Sequence, residues 1–364
     1  MLAVNVGSST LKFSLFDDTA ERERESGVVE TADPEAALQQ AIASLDSREV
    51  RAVGHRLVHG GTLYRESVPI DAQVVTALAG LSSLAPLHNP PAIAAIRRAR
   101  ELLPNVPHVA VFDTAFFGKL PPRSHVYPLP YEWHTDWGVR RFGFHGISHA
   151  FCAGRARELL GGAPDLRVVV CHLGQGCSAT AVRGGRARAT TMGFTPMEGL
   201  MMASRSGSVD PGVLIHALRR GVGVDDLDAA LNRRSGLLGV SGVSSDYREV
   251  EASARAGNER ARLALEIYAD RVRETVGALA TTLGGLDALV FTGGVGENSA
   301  SLRASVCERL EFLGVRLDSA RNGSCLPDAD VATPDSPVRV LVIRTRENRM
   351  IAREAARFAP SSTP

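Results

Sequence analysis

The sequence predicts an α/β protein of two domains built on one duplicated plan, with a ligand gripped between the halves. Three observations carry that expectation. The chain has 364 residues, enough for two separate cores. Its start reads as a strand, Leu2–Val6, a polar turn, Gly7-Ser8-Ser9-Thr10, and a second strand over 11–15 with strict apolar/polar alternation. The plan returns at Arg167–Leu173, Gly174-Gln175-Gly176 and 177–182, closed by Arg183-Gly184-Gly185.

The first hairpin is informative because no helix follows its turn. A Walker A loop or a dinucleotide fingerprint puts phosphate at a helix N-terminus. This turn offers backbone N–H groups, three hydroxyls and the Asn5 amide, with Lys12 on the opposite face from Leu11 and Phe13. Such a turn can cradle phosphate oxygens.

A polar stretch over 17–35 precedes a helical segment, and strand-like Val53 leads into His55-Arg56-Leu57-Val58-His59-Gly60-Gly61. A second helical pattern spans 92–103, and the strand His108–Phe112 ends on Asp113-Thr114. The Pro-rich stretch 121–130 reads as a connection between domains. Beyond the second hairpin, Leu263, Ile267, Val272, Val276, Leu279 and Leu283 mark a helix over 258–283 that stops at Gly284-Gly285. A buried strand over 286–292 then enters Gly293-Gly294-Val295-Gly296-Glu297-Asn298, and a helix follows with Leu302, Val306 and Leu310 on one face. Strand, glycine loop and helix N-terminus suit a nucleotide.

Composition narrows the function classes. Forty-one basic against 40 acidic residues leave a net charge of +1, which offers no footprint for nucleic acid or a membrane surface. Any anionic ligand must be held locally. The chain enters a strand directly, without signal-peptide regions, and no apolar run reaches the length of a membrane span, so a cytoplasmic location is expected. Cys152, Cys171, Cys177, Cys307 and Cys325 are odd in number and scattered, which predicts idle thiols rather than disulfides or a zinc site.

Three segments are dense in functional side chains without strand or helix periodicity: the stretch around Arg56, Arg140-Arg141-Phe142-Gly143-Phe144-His145-Gly146-Ile147-Ser148-His149, and Ser204-Arg205-Ser206-Gly207-Ser208-Val209-Asp210-Pro211-Gly212. Each alone is an ordinary structural feature. Together, two arginines, a histidine and two phosphate hairpins are what phosphoryl transfer needs, because that chemistry rests on positioning and electrostatic stabilisation.

The ordered motifs resemble the acetate and propionate kinase family. Asn5-Val6-Gly7-Ser8-Ser9-Thr10-Leu11-Lys12 resembles its first signature, and Met192-Gly193-Phe194-Thr195-Pro196-Met197-Glu198-Gly199-Leu200-Met201-Met202 is similar to its second. Pro86-Leu87-His88-Asn89-Pro90, Phe112-Asp113-Thr114-Ala115-Phe116, Ser235-Gly236-Leu237-Leu238-Gly239 and Phe291 through Asn298 also follow in the family's order. The resemblance implies two duplicated ribonuclease H-like domains of the kind in actin-like ATPases, with the active site in the cleft between them. It implies a discontinuous first domain, 1–117 plus 350–364, onto which the C-terminal helix packs, and a second domain over 118–349. A homodimer is implied as well.

Site roles follow from the same resemblance. Asn5 and Glu347 become groups for magnesium or manganese. The nucleotide site, for ATP or ADP, takes Lys12, His172, Leu173, Gly174, Gln175, Gly176, Asp246, Tyr247, Arg248, Gly294, Val295, Gly296, Glu297 and Asn298. Arg56 holds the substrate carboxylate of acetate, or the acyl end of acetyl phosphate, while His145 and Arg205 stabilise the transition state. Val58, Leu87, Phe144 and Pro196 form a small acyl pocket, in which one methylene is worth only roughly 1 to 3 kcal/mol. Acetate and propionate therefore both remain open. Asp113 is the family's usual active-site residue, but an acid of pKa about 4 to 5 is already ionised at neutral pH. No general base is required, and Asp113 is expected to position magnesium or Arg205.

Four residues depart from the family pattern: Gln175 for Asn, Ser208 for Asp, Phe117 for His, and Arg346 for Asn beside Glu347. The competing functions are a kinase for another short carboxylate and a non-catalytic nucleotide-binding protein of the same fold. A scaffold would have no use for Arg56, His145 and Arg205.

Overall fold

The structure is a computed structural model that describes residues 1–7, 10–31, 33–82 and 88–360. Ser8 and Ser9 of the first turn and Leu87 of the expected acyl pocket lie outside the described residues. The chain forms two compact units: Met1–Lys119 with Phe144–Phe151 and Arg346–Pro364, and Leu120–Gly143 with Cys152–Thr345.

The first unit is built on a six-stranded sheet of order β3-β2-β1-β4-β6-β5. Its strands are β1 (Leu2–Val6), β2 (Thr10–Phe16), β3 (Glu23–Glu30), β4 (Val53–Leu57), β5 (Val68–Pro69) and β6 (His108–Phe112). Alternation along each strand sorts side chains onto two faces. Leu2, Val4, Val53, Leu57, Ala110 and Phe112 pack on one face with Leu38 and Ile42 of the helix Pro34–Ala43 and with Ile93 and Ile96 of the helix Asn89–Leu102. Ala3, Val109 and Val111 lie on the other face, against Ile351, Ala352 and Ala355 of the C-terminal helix Glu347–Ala356. The C-terminal helix thus packs on the first unit.

Two differences from the sequence expectation have physical causes. The polar stretch after Asp17 contains β3, whose side chains are almost all solvated, so no apolar alternation announces it. Pairing with β2 holds it, and its charges suit an open sheet edge. The segment Phe144–Phe151, expected in the second domain, groups with the first unit. There the Gly146 N–H donates to the Asp113 carbonyl at 2.9 Å, and Ile147 joins the core beneath Ile351.

The second unit repeats the topology. Its strands are β7 (Arg167–Leu173), β8 (Cys177–Arg183), β9 (Arg186–Thr190), β10 (Ala288–Thr292), β11 (Ala329–Asp330) and β12 (Arg339–Val342), in the order β9-β8-β7-β10-β12-β11. In each sheet the first three strands pair antiparallel, two more join in parallel, and a short antiparallel strand closes the edge. The duplication expected from two hairpins therefore extends through the whole sheet. The helix Glu259–Leu283, capped by the Asn258 side chain, packs across β7 and β8 and ends at Gly284 as expected. The glycine segment after β10 is itself helical, Gly293–Asn298, and the next helix, Ala300–Cys307, stops short of Leu310.

Candidate active site

In the first unit the strand parity that buries Ala3, Val109 and Val111 also places Asn5, Arg56 and Asp113 on the face covered by the C-terminal helix. Glu347 opens that helix, and the four side chains meet. Arg56 donates to Asp113 through Nη2 at 2.7 Å and Nε at 3.3 Å, and to Asn5 Oδ1 through Nη1 at 3.1 Å. The Glu347 carboxylate lies 3.4 Å from Arg56 Nη1 and accepts from Asn5 Nδ2 at 3.3 Å. Burial by itself would lower the arginine's pKa, but Asp113 and Glu347 outweigh it and hold the guanidinium above its usual range.

Within the unit Asp113 is paired with Arg56. Both carboxylate oxygens face the guanidinium, so among the described residues one Nη2 hydrogen of Arg56 has no partner and can meet an incoming acid.

His145 sits at the end of β6 through its neighbour. A Cβ on Gly146 would lie 2.1 Å from the Asp113 carbonyl oxygen, so only glycine allows the approach. His145 itself has φ +57°, in the left-handed region that non-glycine residues rarely occupy. Local strain of this kind concentrates at functional positions. Beside it, Phe144 is buried edge-on to the His59 ring, with centroids 5.5 Å apart. Val58 belongs to the same unit and is half-buried, whereas Pro196 belongs to the second.

In the second unit a cavity of about 640 Å³ collects Gly174, Gln175, Asp246, Tyr247, Arg248, Gly294, Val295 and Asn298. That volume falls in the small-molecule range of about 300–1,000 Å³. Leu237, Ser245, Glu251 and Ser299 complete the wall and were missed, although Leu237 lies in a motif already singled out. Asp246 caps the helix Tyr247–Arg255 and grips Arg248 at 2.6 Å; those bonds pull its carboxyl down to about 2. His172, Leu173, Gly176, Gly296 and Glu297 are not part of the cavity wall. Glu297 instead accepts from the Gly293 and Thr345 N–H groups at 3.0 and 2.9 Å, bracing the glycine segment. Lys12 is exposed on β2 of the first unit.

The Arg205 loop adjoins the second hairpin, since the Ala203 N–H donates to the Gln175 carbonyl at 3.2 Å. Arg205 donates through Nη1 to the Pro196 carbonyl at 2.6 Å. Ser208, in place of the family's Asp, ties the loop by accepting from the Gly199 N–H at 3.1 Å. Of the other departures, Phe117 is fully buried against His149, and Arg346 lies over the Phe151 ring.

Residues 29–353 match the Acetokinase family. The chain belongs to the acetate kinase family. It is 53% identical over 331 residues to an acetate kinase of Synechococcus sp. (strain JA-2-3B'a(2-13)), covering 90% of this chain and 82% of that one. An acetate kinase of Clostridium botulinum (strain Loch Maree / Type A3) is 43% identical, over 97% of this chain and 98% of its own. Among solved structures, Porphyromonas gingivalis acetate kinase superposes with a TM-score of 0.91 at 38% identity, covering 98% of both chains. A propionate kinase from Francisella tularensis gives 0.90 at 35% identity, covering 98% of this chain and 99% of that one. Membership in the acetate kinase family makes the chain a phosphotransferase with a carboxyl group as acceptor.

Proposed function

We propose that the chain catalyses magnesium-dependent, reversible transfer of the ATP γ-phosphoryl group to acetate, giving acetyl phosphate and ADP. The observation that carries this reading is the pairing of Asp113 with Arg56. A kinase acting on a hydroxyl needs a carboxylate to take its proton. Here that carboxylate is committed to a guanidinium on both oxygens, which suits an acceptor that arrives already ionised.

The first unit holds the acid, through Arg56 and the apolar Val58 and Phe144. The second holds the nucleotide in the cavity around Gly174, Asp246 and Gly294. His145 and Arg205 supply donors toward the transferring group, whose charge spreads over three equatorial oxygens. The oxygens of Asn5, Asp113 and Glu347 are hard donors, and two carboxylates sharing one arginine leave negative charge in excess. They suit magnesium or manganese. No group of three or more His, Cys, Asp or Glu gathers among the described residues, so water and phosphate would complete the coordination. When bound, the ion neutralises phosphate charge.

A hydroxylamine trap for acyl phosphate, with ATP, magnesium and acetate, propionate or butyrate in turn, tests the reading. The highest kcat/KM is expected for acetate; preference for propionate would favour the alternative substrate, and no product with any acid would leave a nucleotide-binding protein. Arg205→Ala is expected to lower kcat about 100- to 1,000-fold with little change in the KM for acetate. A raised KM with kcat intact would mean that Arg205 binds the acid instead.

The chain is further proposed to act as a cytoplasmic homodimer. The helix Pro211–Arg219 and its flanks expose Val209, Val213, Ile215, Leu218, Val222 and Val224, a run of apolar side chains that suits a second copy. All five cysteines are free, as a reducing compartment would keep them. No helix among the described residues is long and apolar enough to cross a membrane. Ile215→Asp is expected to halve the sedimenting mass; an unchanged mass would remove this face from the interface.

A further inference from the structure

We propose that Glu198 is a positioning residue for Arg205: with Arg141 and Tyr127 it clamps the loop whose Pro196 carbonyl holds the Arg205 guanidinium. The proposal rests on the reading that Arg205 stabilises the transferring group.

Arg205 needs external support. It is half-buried, desolvation pulls its pKa down, and among the described residues no carboxylate faces it. Among the described residues its side chain makes one hydrogen bond, to the Pro196 carbonyl. Whatever sets the Pro196 backbone therefore helps to set the guanidinium. Pro196 lies in a stretch without regular secondary structure, 191–199, so no strand ladder or helix fixes it.

Besides the Ser208 hydroxyl on the Gly199 N–H, three side chains, one within the stretch and two from outside it, brace the Pro196 turn. Glu198 Oε1 accepts from Arg141 Nη2 at 2.5 Å, and its Oε2 accepts from the Tyr127 hydroxyl. The other Arg141 nitrogen donates to the Thr191 carbonyl at 2.7 Å. The Tyr127 oxygen in turn accepts from the Phe194 N–H at 2.9 Å, and the Arg141 guanidinium stacks 5.2 Å above the Tyr127 ring. The clamp thus touches the loop at 191, 194 and 198, on both sides of Pro196. Residue 193 shows how closely it closes: a Cβ there would lie 1.8 Å from Glu198 Oε2 and 2.1 Å from the Tyr127 oxygen. Only glycine fits.

Glu198→Gln keeps the shape of the side chain but puts an amide where one of two accepting oxygens must sit. The clamp then loses either the Tyr127 hydroxyl bond or the Arg141 Nη2 bond. Misplacing a stabilising group by about 1 Å costs on the order of 100-fold in rate. Glu198→Gln is expected to lower kcat about 10- to 100-fold, with the KM values for acetate and ATP held. In the Arg205→Ala background the same change is expected to do nothing further, because the group it positions is gone. Losses that multiply in the double variant, or an unchanged kcat in Glu198→Gln, overturn the proposal. If Arg205→Ala itself leaves kcat intact, the role of Arg205 fails instead, and the two failures are distinguishable. Should Glu198→Gln not fold, Tyr127→Phe removes only the hydroxyl and enters the same cycle, with the same non-additivity expected.

Discussion

Arg56→Ala is expected to raise the KM for acetate roughly 10- to 100-fold, the worth of one charge-assisted hydrogen bond, and to destabilise the first unit by about 3–5 kcal/mol. The first effect follows from the Nη2 hydrogen left for the acid once Asp113, Asn5 and Glu347 have taken the others. The second follows from burial. Asp113 is 1% exposed, and without the guanidinium its charge has no counterion beside it, with the Glu347 carboxylate close by. Removing one partner of a buried pair costs more than the pair itself contributes. Kinetics in acetate and urea melts on one protein preparation check both. The double variant Arg56→Ala/Asp113→Asn is expected to recover most of the stability but none of the KM, since the buried charge is gone while the acid still lacks its donor. Recovery of both would show that Asp113, rather than Arg56, faces the substrate.

Acidification is expected to unfold the first unit well above the pH at which ordinary surface carboxylates titrate. His55, His59 and His108 are all buried, and burial lowers each pKa: well below its usual value for His55, to about 4 for His59, and below the usual value for His108. The hydrogen bonds agree with neutral rings. His59 Nδ1 accepts from the Gly61 N–H at 2.8 Å, and the His108 ring lies between His55 Nε2 and the Leu103 carbonyl, 3.0 Å from each. Unfolding releases these rings to a pKa of about 6.5. Between the two values the unfolded chain binds more protons, so stability rises with pH there. The contribution is complete above about 6.5 and is lost progressively as the pH falls from there toward the folded values. For His59 the loss amounts to about 3 kcal/mol at about 1.4 kcal/mol per unit. Urea melts from pH 7 to pH 4.5 on the native chain and on His59→Gln are the measurement. The stability gap between them should narrow as the pH falls; a constant gap would show that His59 does not titrate on unfolding.

Much of the fold was legible because strand alternation and glycine turns are local signals. The two hairpins, His108–Phe112 and the helix Glu259–Leu283 all lie where their patterns place them. β3 was not legible, because an edge strand with solvated side chains carries no burial pattern. Most cavity residues were found through motifs. Ser245, Glu251 and Ser299 were not, since serines and a glutamate in loops or a helix face carry no signal until the fold gathers them. Glu198 lay inside a recognised signature, but nothing in its spacing points to Tyr127 or Arg141, 71 and 57 positions earlier.

The sequence by itself determined the α/β class, the duplication and the chemical inventory of a carboxylate kinase. Periodicity and turn chemistry are written within a few residues. Only the tertiary structure decided which charges pair. Arg56 could have met any of several carboxylates, and burial beside the C-terminal helix selected Asp113 and Glu347. Coulomb energy depends on distance and on exclusion of water, and neither exists until residues far apart in the chain are packed together.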